Sequence, residues 1–193
     1  KNIILKLLQA GHGQATFPEL VKYDLLRSLF PQTQALLGGA DELHHQHLID
    51  LALLNTDTRL NEGKSVTPAF LYAALHWPQV QHRWEELEAE GHGCTQALAI
   101  ACSETLEFNQ QFIAIPKRFS VTIREIWELQ VKLEKRHGRR PDSILEHPRF
   151  RAGYDFLLLR ERSGEILGEL GEWWTQYQMA DDAMRRDLIA SVK

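Results

Sequence analysis

Val121-Thr122-Ile123-Arg124-Glu125-Ile126-Trp127-Glu128-Leu129-Gln130-Val131-Lys132-Leu133-Glu134-Lys135-Arg136 reads as one amphipathic helix. Successive side chains on a helix rotate by about 100°, so Ile123, Ile126, Trp127, Gln130 and Leu133 share one face. Arg124, Glu128, Lys132, Lys135 and Arg136 fall on the other. A core-facing stripe and a cationic stripe are thus separated on a single element.

Outward from this stretch the same period recurs and strand-like alternation bounded by Asn-Gly or Asp-Gly turns is missing, so the chain is expected to be all-α. On the N-terminal side a first helix is expected to end at Gly11-His12-Gly13. A second is expected over residues 17–30, with Thr16 as N-cap and Pro18 near its first turn. Pro31 opens a short segment closed by Gly38-Gly39, and Asp41 is placed to cap a longer helix through about residue 54. Thr67-Pro68 opens a helix expected to stop before Trp77-Pro78. A charged helix over 78–90 follows, closed by Gly91-His92-Gly93, and Thr95 is expected to cap another through residue 108. Proline disfavours helix at the residue before it, which makes Ile115-Pro116 the expected boundary between two helical subdomains, 1–115 and 116–193.

The charge balance changes sign at that boundary. Residues 117–162 hold twelve of the chain's 22 Lys and Arg against seven carboxylates, inside a protein of net charge −4. A cationic island suits a polyanion, because phosphate binding is driven by charge neutralisation and counterion release. Lys117, Arg118, Arg124, Lys132, Lys135, Arg136, Arg139, Arg140, Arg149 and Arg151 are the expected RNA-binding residues, with Arg139-Arg140-Pro141 carrying charge into a loop beyond Gly138. Tyr154, Phe156 and Trp173-Trp174 could stack bases of a single strand, although the spacing of Trp127, Tyr154 and Phe156 suits a core equally well.

Other chemistries lack their residues. There is no Asp-x-Asp metal pair, no Gly-x-x-x-x-Gly-Lys loop, no Gly-x-Gly-x-x-Gly, no Gly-x-Ser-x-Gly and no Cys-x-x-Cys. His44 and His47 could share a helix face, but no Cys stands near them and the chain has no His-Asp dipeptide to anchor a hydrolase metal. Cys94 and Cys102 lie two turns apart on one expected helix and read as reduced core residues. No apolar run is long enough for a membrane helix and Lys1-Asn2-Ile3-Ile4 lacks a signal layout, so a cytoplasmic protein of 193 residues is expected.

Several strings resemble one family, the bacterial poly(A) polymerases, which belong with the tRNA CCA-adding nucleotidyltransferases. They are Leu5-Lys6-Leu7-Leu8-Gln9-Ala10-Gly11-His12-Gly13, Asn55-Thr56-Asp57-Thr58-Arg59 and Thr67-Pro68-Ala69-Phe70-Leu71-Tyr72-Ala73-Ala74-Leu75. Ile115-Pro116-Lys117-Arg118, Ile126-Trp127-Glu128-Leu129-Gln130, the run from Leu145-Glu146-His147-Pro148 through Arg160, and Trp173-Trp174 continue the likeness nearly end to end. Their order is similar to the polyadenylating branch more than to the CCA-adding one.

The resemblance implies the helical neck, body and leg of such an enzyme without its α/β catalytic head. The family's Gly-Ser loop, Asp-x-Asp pair and Glu-Asp-x-x-Arg motif have no counterpart here, so a truncation at the head boundary is expected and no catalytic, cofactor or metal residue is assigned. By the same resemblance ATP and Mg²⁺ would belong to the head, RNA 3′ ends would be the partner, and this chain alone would be inactive. Two readings of other classes stand beside it: a helical adaptor module that docks proteins through its acidic and basic surfaces, and a metal hydrolase built on His44 and His47.

Overall fold

The structure, a computed structural model, describes residues 3–39, 42–165 and 167–192, and every regular element among them is a helix. Four short helices come first: α1 (Ile3–Leu8), α2 (Gly13–Lys22), α3 (Leu25–Leu29) and α4 (Pro31–Leu36). The long α5 (Glu42–Asn61), α6 (Pro68–Ala89) and α7 (Cys94–Asn109) follow, then α8 (Lys117–Leu133), the short α9 (Arg140–Leu145), α10 (Phe150–Arg162), α11 (Leu170–Met179) and α12 (Asp182–Ser191).

The central element is α6, which packs against α4, α5, α7, α8 and α10. Thr67 caps it, its Oγ1 accepting from the Ala69 N–H at 3.3 Å. Contrary to expectation it does not stop at Trp77 but runs through Pro78, and the residues from Leu71 to Val80 are all buried. An internal proline removes one helix hydrogen bond and crowds the preceding turn, at a cost of about 3 kcal/mol. Donors from elsewhere in the chain engage that turn: Trp127 Nε1 donates to the Ala73 carbonyl at 3.1 Å and Thr33 Oγ1 to the Leu75 carbonyl at 2.7 Å. Thr33 in turn accepts from Gln79 Nε2, and Gln79 Oε1 accepts from Asn109 Nδ2. Beside this network, burial holds His76 down at about 4, and as a neutral ring it hydrogen-bonds to the Tyr72 carbonyl through Nδ1.

Two apolar clusters form the core, and α8 and α10 contribute to both. Ile123, Ile126, Trp127, Val131, Phe156 and Leu159 join the cluster built by α1 to α7, so apolar packing continues across Ile115-Pro116. Leu129, Leu133, Phe150, Tyr154 and Leu157 join Trp173, Trp174 and Tyr177 of α11 in the second. The two helices meet at Gly153, where a Cβ would lie 2.7 Å from Leu129 Cδ1. Gln130 closes the same junction, its Nε2 donating to the carbonyls of Ile126 and Gly153.

The expected buried face of α8 is therefore the buried face, but two caps differ. The second helix begins at Gly13, not after Thr16, with Pro18 inside it, and ends at Lys22 before the separate α3. The seventh starts at Cys94 with Gly93 as its cap residue, and Thr95 lies inside the first turn. Asp41, the expected cap of α5, lies outside the described residues. Cys94 and Cys102, both on α7, are free, and burial first among the causes pushes their thiols up to about 11 and about 12.

Candidate nucleic-acid interface

The cations of the linear island have different settings in three dimensions. Lys117 and Arg118 occupy the first turn of α8, where positive charge opposes the helix dipole, and the Arg118 guanidinium lies 4.7 Å from the Phe119 ring centre. Arg124 is drawn onto α7, donating to Ser103 Oγ at 2.8 Å, with Glu128 at 3.9 Å. Lys135 reaches Thr95 Oγ1 at 3.4 Å and Arg136 lies over the Trp173 ring. Lys132, Arg139 and Arg140 are exposed and make no ion pair among the described residues. Arg139 and Arg140 differ from the expected loop in that Arg139 is the cap residue of α9 and Arg140 its first residue.

Arg160, from the same island, is only 2% exposed. It pairs with Glu165, donates to Gln130 Oε1 at 3.1 Å and lies 4.9 Å from the Trp77 ring centre. Its role is to tie α10 to α6 and α8. The aromatics expected as stacking platforms are core as well: Trp127, Phe156 and Trp174 are fully buried, and Tyr154 and Trp173 are nearly so. Their apolar area outweighs the ring faces a base would need, and Trp174 Nε1 is held by the Leu133 carbonyl at 2.8 Å.

Arg149 and Arg151 have a different setting. At the start of α10 they line a cavity of about 560 Å³ formed with α5 and the chain between α5 and α6. Arg59 of α5 and Arg162 at the end of α10 line it too, with Asn55, Thr58, Ser65, Thr67 and Phe70 among the other wall residues. Arg149 is shared with Glu125 at 3.2 Å and Arg151 with Asp155 at 3.0 Å. Asp155 is the single carboxylate among the lining residues. Burial pushes its carboxyl above the ordinary range, while Arg151, Arg59 and Arg162 pull it back down. The Arg59 and Arg162 side chains have no hydrogen bond or ion pair among the described residues and act on Asp155 only at a distance, so the cavity keeps a surplus of positive charge.

Arg59 is the residue that counting charge along the sequence misses, because it stands in the acidic part of the chain. Its only signal is its place at the end of Asn55-Thr56-Asp57-Thr58-Arg59. Arg162 lies inside the island but outside the ten expected residues. The same turn of α5 reaches the N-terminal helices on its other side. Asp57 accepts from the backbone N–H groups of Gly13 at 2.7 Å and Gln14 at 2.9 Å, capping α2 from 44 residues away, and Asn61 Nδ2 donates to the Gly11 carbonyl. One turn of helix therefore connects residues 11–14 to the arginine-lined cavity.

His44 hydrogen-bonds Ser163 through Nδ1 and stands 3.9 Å from Glu165, and no group of three or more His, Cys, Asp or Glu among the described residues has metal-binding geometry. Among the described residues no helix is long and apolar enough to cross a membrane.

Comparison with known proteins gives these features a context. The family model described as "Polymerase A arginine-rich C-terminus" matches residues 90–193, and that described as "Probable RNA and SrmB- binding site of polymerase A" matches residues 4–37. Poly(A) polymerase I of Haemophilus influenzae is 39% identical over 188 residues, covering 96% of this chain and 41% of that protein. The enzymes of the same name from Escherichia coli O6:H1 and Salmonella typhimurium are 38% and 36% identical, over 91% and 96% of this chain and 38% and 40% of theirs. The chain thus spans about two fifths of the length of these curated relatives. With more than half of its residues matched by the arginine-rich C-terminal model, the chain belongs to the poly(A) polymerase family.

Proposed function

We propose that this chain holds RNA for an enzyme that adds AMP from ATP to RNA 3′ ends. The phosphate backbone is led from the surface of α1 to α4 to the arginines between α5 and α10. The observation that carries the reading is the convergence of Arg59, Arg149, Arg151 and Arg162 on a cavity with one carboxylate. Two further findings support it: residues 4–37 match a model described as a probable RNA-binding site, and Asp57 fixes those residues against the same turn of α5. Backbone contacts of this kind position a strand without reading its sequence.

The residues of this chain do not fit ATP with Mg²⁺. The chain has no Asp-x-Asp pair, and the described carboxylates form no metal-holding group. The chemical step is assigned to a head region, and this chain alone is expected to be inactive.

Titration of labelled oligoadenylate at two salt concentrations tests the proposal. Saturable binding that weakens steeply with salt supports it, because single-strand contacts contribute a slope of about −0.7 per phosphate neutralised. Absence of saturable binding at moderate salt favours a protein-docking module instead.

A further inference from the structure

The cavity between α5 and α10 has two properties that a phosphate track alone does not need. Its volume of about 560 Å³ lies within the range of about 300 to 1,000 Å³ typical of small-ligand sites. It also contains a carboxylate. Asp155 disfavours a phosphate arriving at Arg59 or Arg162, so its presence costs polyanion affinity unless it accepts a hydrogen from another part of the ligand.

Its geometry leaves it free to accept. The Asp155 side chain is 36% exposed, and both its oxygens face the same Arg151 Nε, Oδ1 at 3.0 Å and Oδ2 at 3.2 Å. An ionised carboxylate offers about four acceptor positions, so most of its capacity is unused. In RNA the donor nearest to a phosphate is the ribose 2′-hydroxyl, on the carbon next to the 3′-phosphate ester, and DNA lacks it. Thr58, Thr67 and the partly buried Phe70 complete a wall with both polar and apolar residues.

We propose that the cavity is a single-nucleotide subsite in which Arg59 and Arg162 take the phosphate and Asp155 accepts from the ribose 2′-hydroxyl, so that the chain prefers RNA to DNA. Arg151 is the positioning residue that orients the carboxylate. The inference rests on the RNA-holding function proposed above and adds to it the residue that selects the sugar.

The test compares oligoriboadenylate with oligodeoxyadenylate of equal length, titrated against the complete protein and its variants at one salt concentration. The unaltered protein should prefer the ribose form by about tenfold, the size of one charge-assisted hydrogen bond. Asp155→Ala should bring the ratio close to one by weakening the ribose form, with the deoxyribose form unchanged or tighter. Arg59→Ala and Arg162→Ala should weaken both forms alike and keep the ratio.

If Asp155→Ala tightens both oligomers by the same factor, the carboxylate acts only as a charge and the subsite is overturned while RNA binding stands. Asp155→Leu, which keeps the branched shape of the side chain but has no acceptor, guards against a folding defect: full ribose preference in that variant also overturns the proposal. An unaltered protein that binds both forms equally overturns the subsite, and one that binds neither overturns the RNA-holding function with it.

Discussion

The outer face of α8 and the cavity between α5 and α10 are both cationic, yet they treat their charges differently. On α8 and the turn after it the cations are neighbours in sequence, and several are answered locally, Arg124 by Ser103 and Glu128, Lys135 by Thr95, Arg136 by the Trp173 ring. In the cavity, Arg59 and Arg162 come from distant parts of the chain and meet beside one half-buried carboxylate. Charge density along a sequence measures how many cations a segment carries. Which of them stay unneutralised, and point to a common place, is decided by tertiary structure.

Four variants sharpen that contrast. The largest effect is expected for Arg160→Met, which breaks a buried pair and leaves Glu165 without its guanidinium. Stability should fall by about 3 kcal/mol or more, read as a shift in the urea midpoint, while RNA affinity of the folded protein stays unchanged. A loss of affinity without loss of stability would move Arg160 into the interface. Next comes the Arg59→Ala/Arg162→Ala double variant. Its RNA affinity should drop by roughly thirtyfold, about 2 kcal/mol, with the salt slope flatter by about 1.4. Melting temperature should change little, since neither side chain has a hydrogen bond or ion pair among the described residues to lose and each acts on Asp155 only at a distance.

Arg139→Ala/Arg140→Ala should weaken RNA binding by only a few fold, about 1 kcal/mol or less, again with a flatter slope. A larger effect here than at Arg59 and Arg162 would reverse the comparison and return the interface to the island. The smallest change is expected for Arg124→Ala, a stability loss within about 1 kcal/mol with no change in salt slope, because its partners are part-exposed.

The all-α class and the inner face of α8 were legible because helical periodicity is local: Ile123, Ile126, Trp127, Gln130 and Leu133 are all buried. The course of α6 through Pro78 was not, since the donors that engage its turn, Thr33 and Trp127, lie 42 and 54 residues from their acceptors. The start of α2 differs from expectation for the same reason, Thr16 being the nearest capping residue in sequence and Asp57 the one used in space. Of the cavity's arginines, Arg149 and Arg151 could be read from the cationic run, whereas Arg59 is masked by acidic neighbours. The aromatic residues were ambiguous because a core stripe and a stacking platform demand the same spacing, and only burial separates them.

Asp57 bears on how far the first helices can be used apart from the rest. The segment over residues 4–37 has the length of a transplantable peptide motif, but its second helix begins with two N–H groups satisfied by a carboxylate outside that segment. Cut out and grafted elsewhere, the segment would lose its own starting point and fray at Gly13. The start of α2 is therefore a property of the assembled domain and not of a portable sequence.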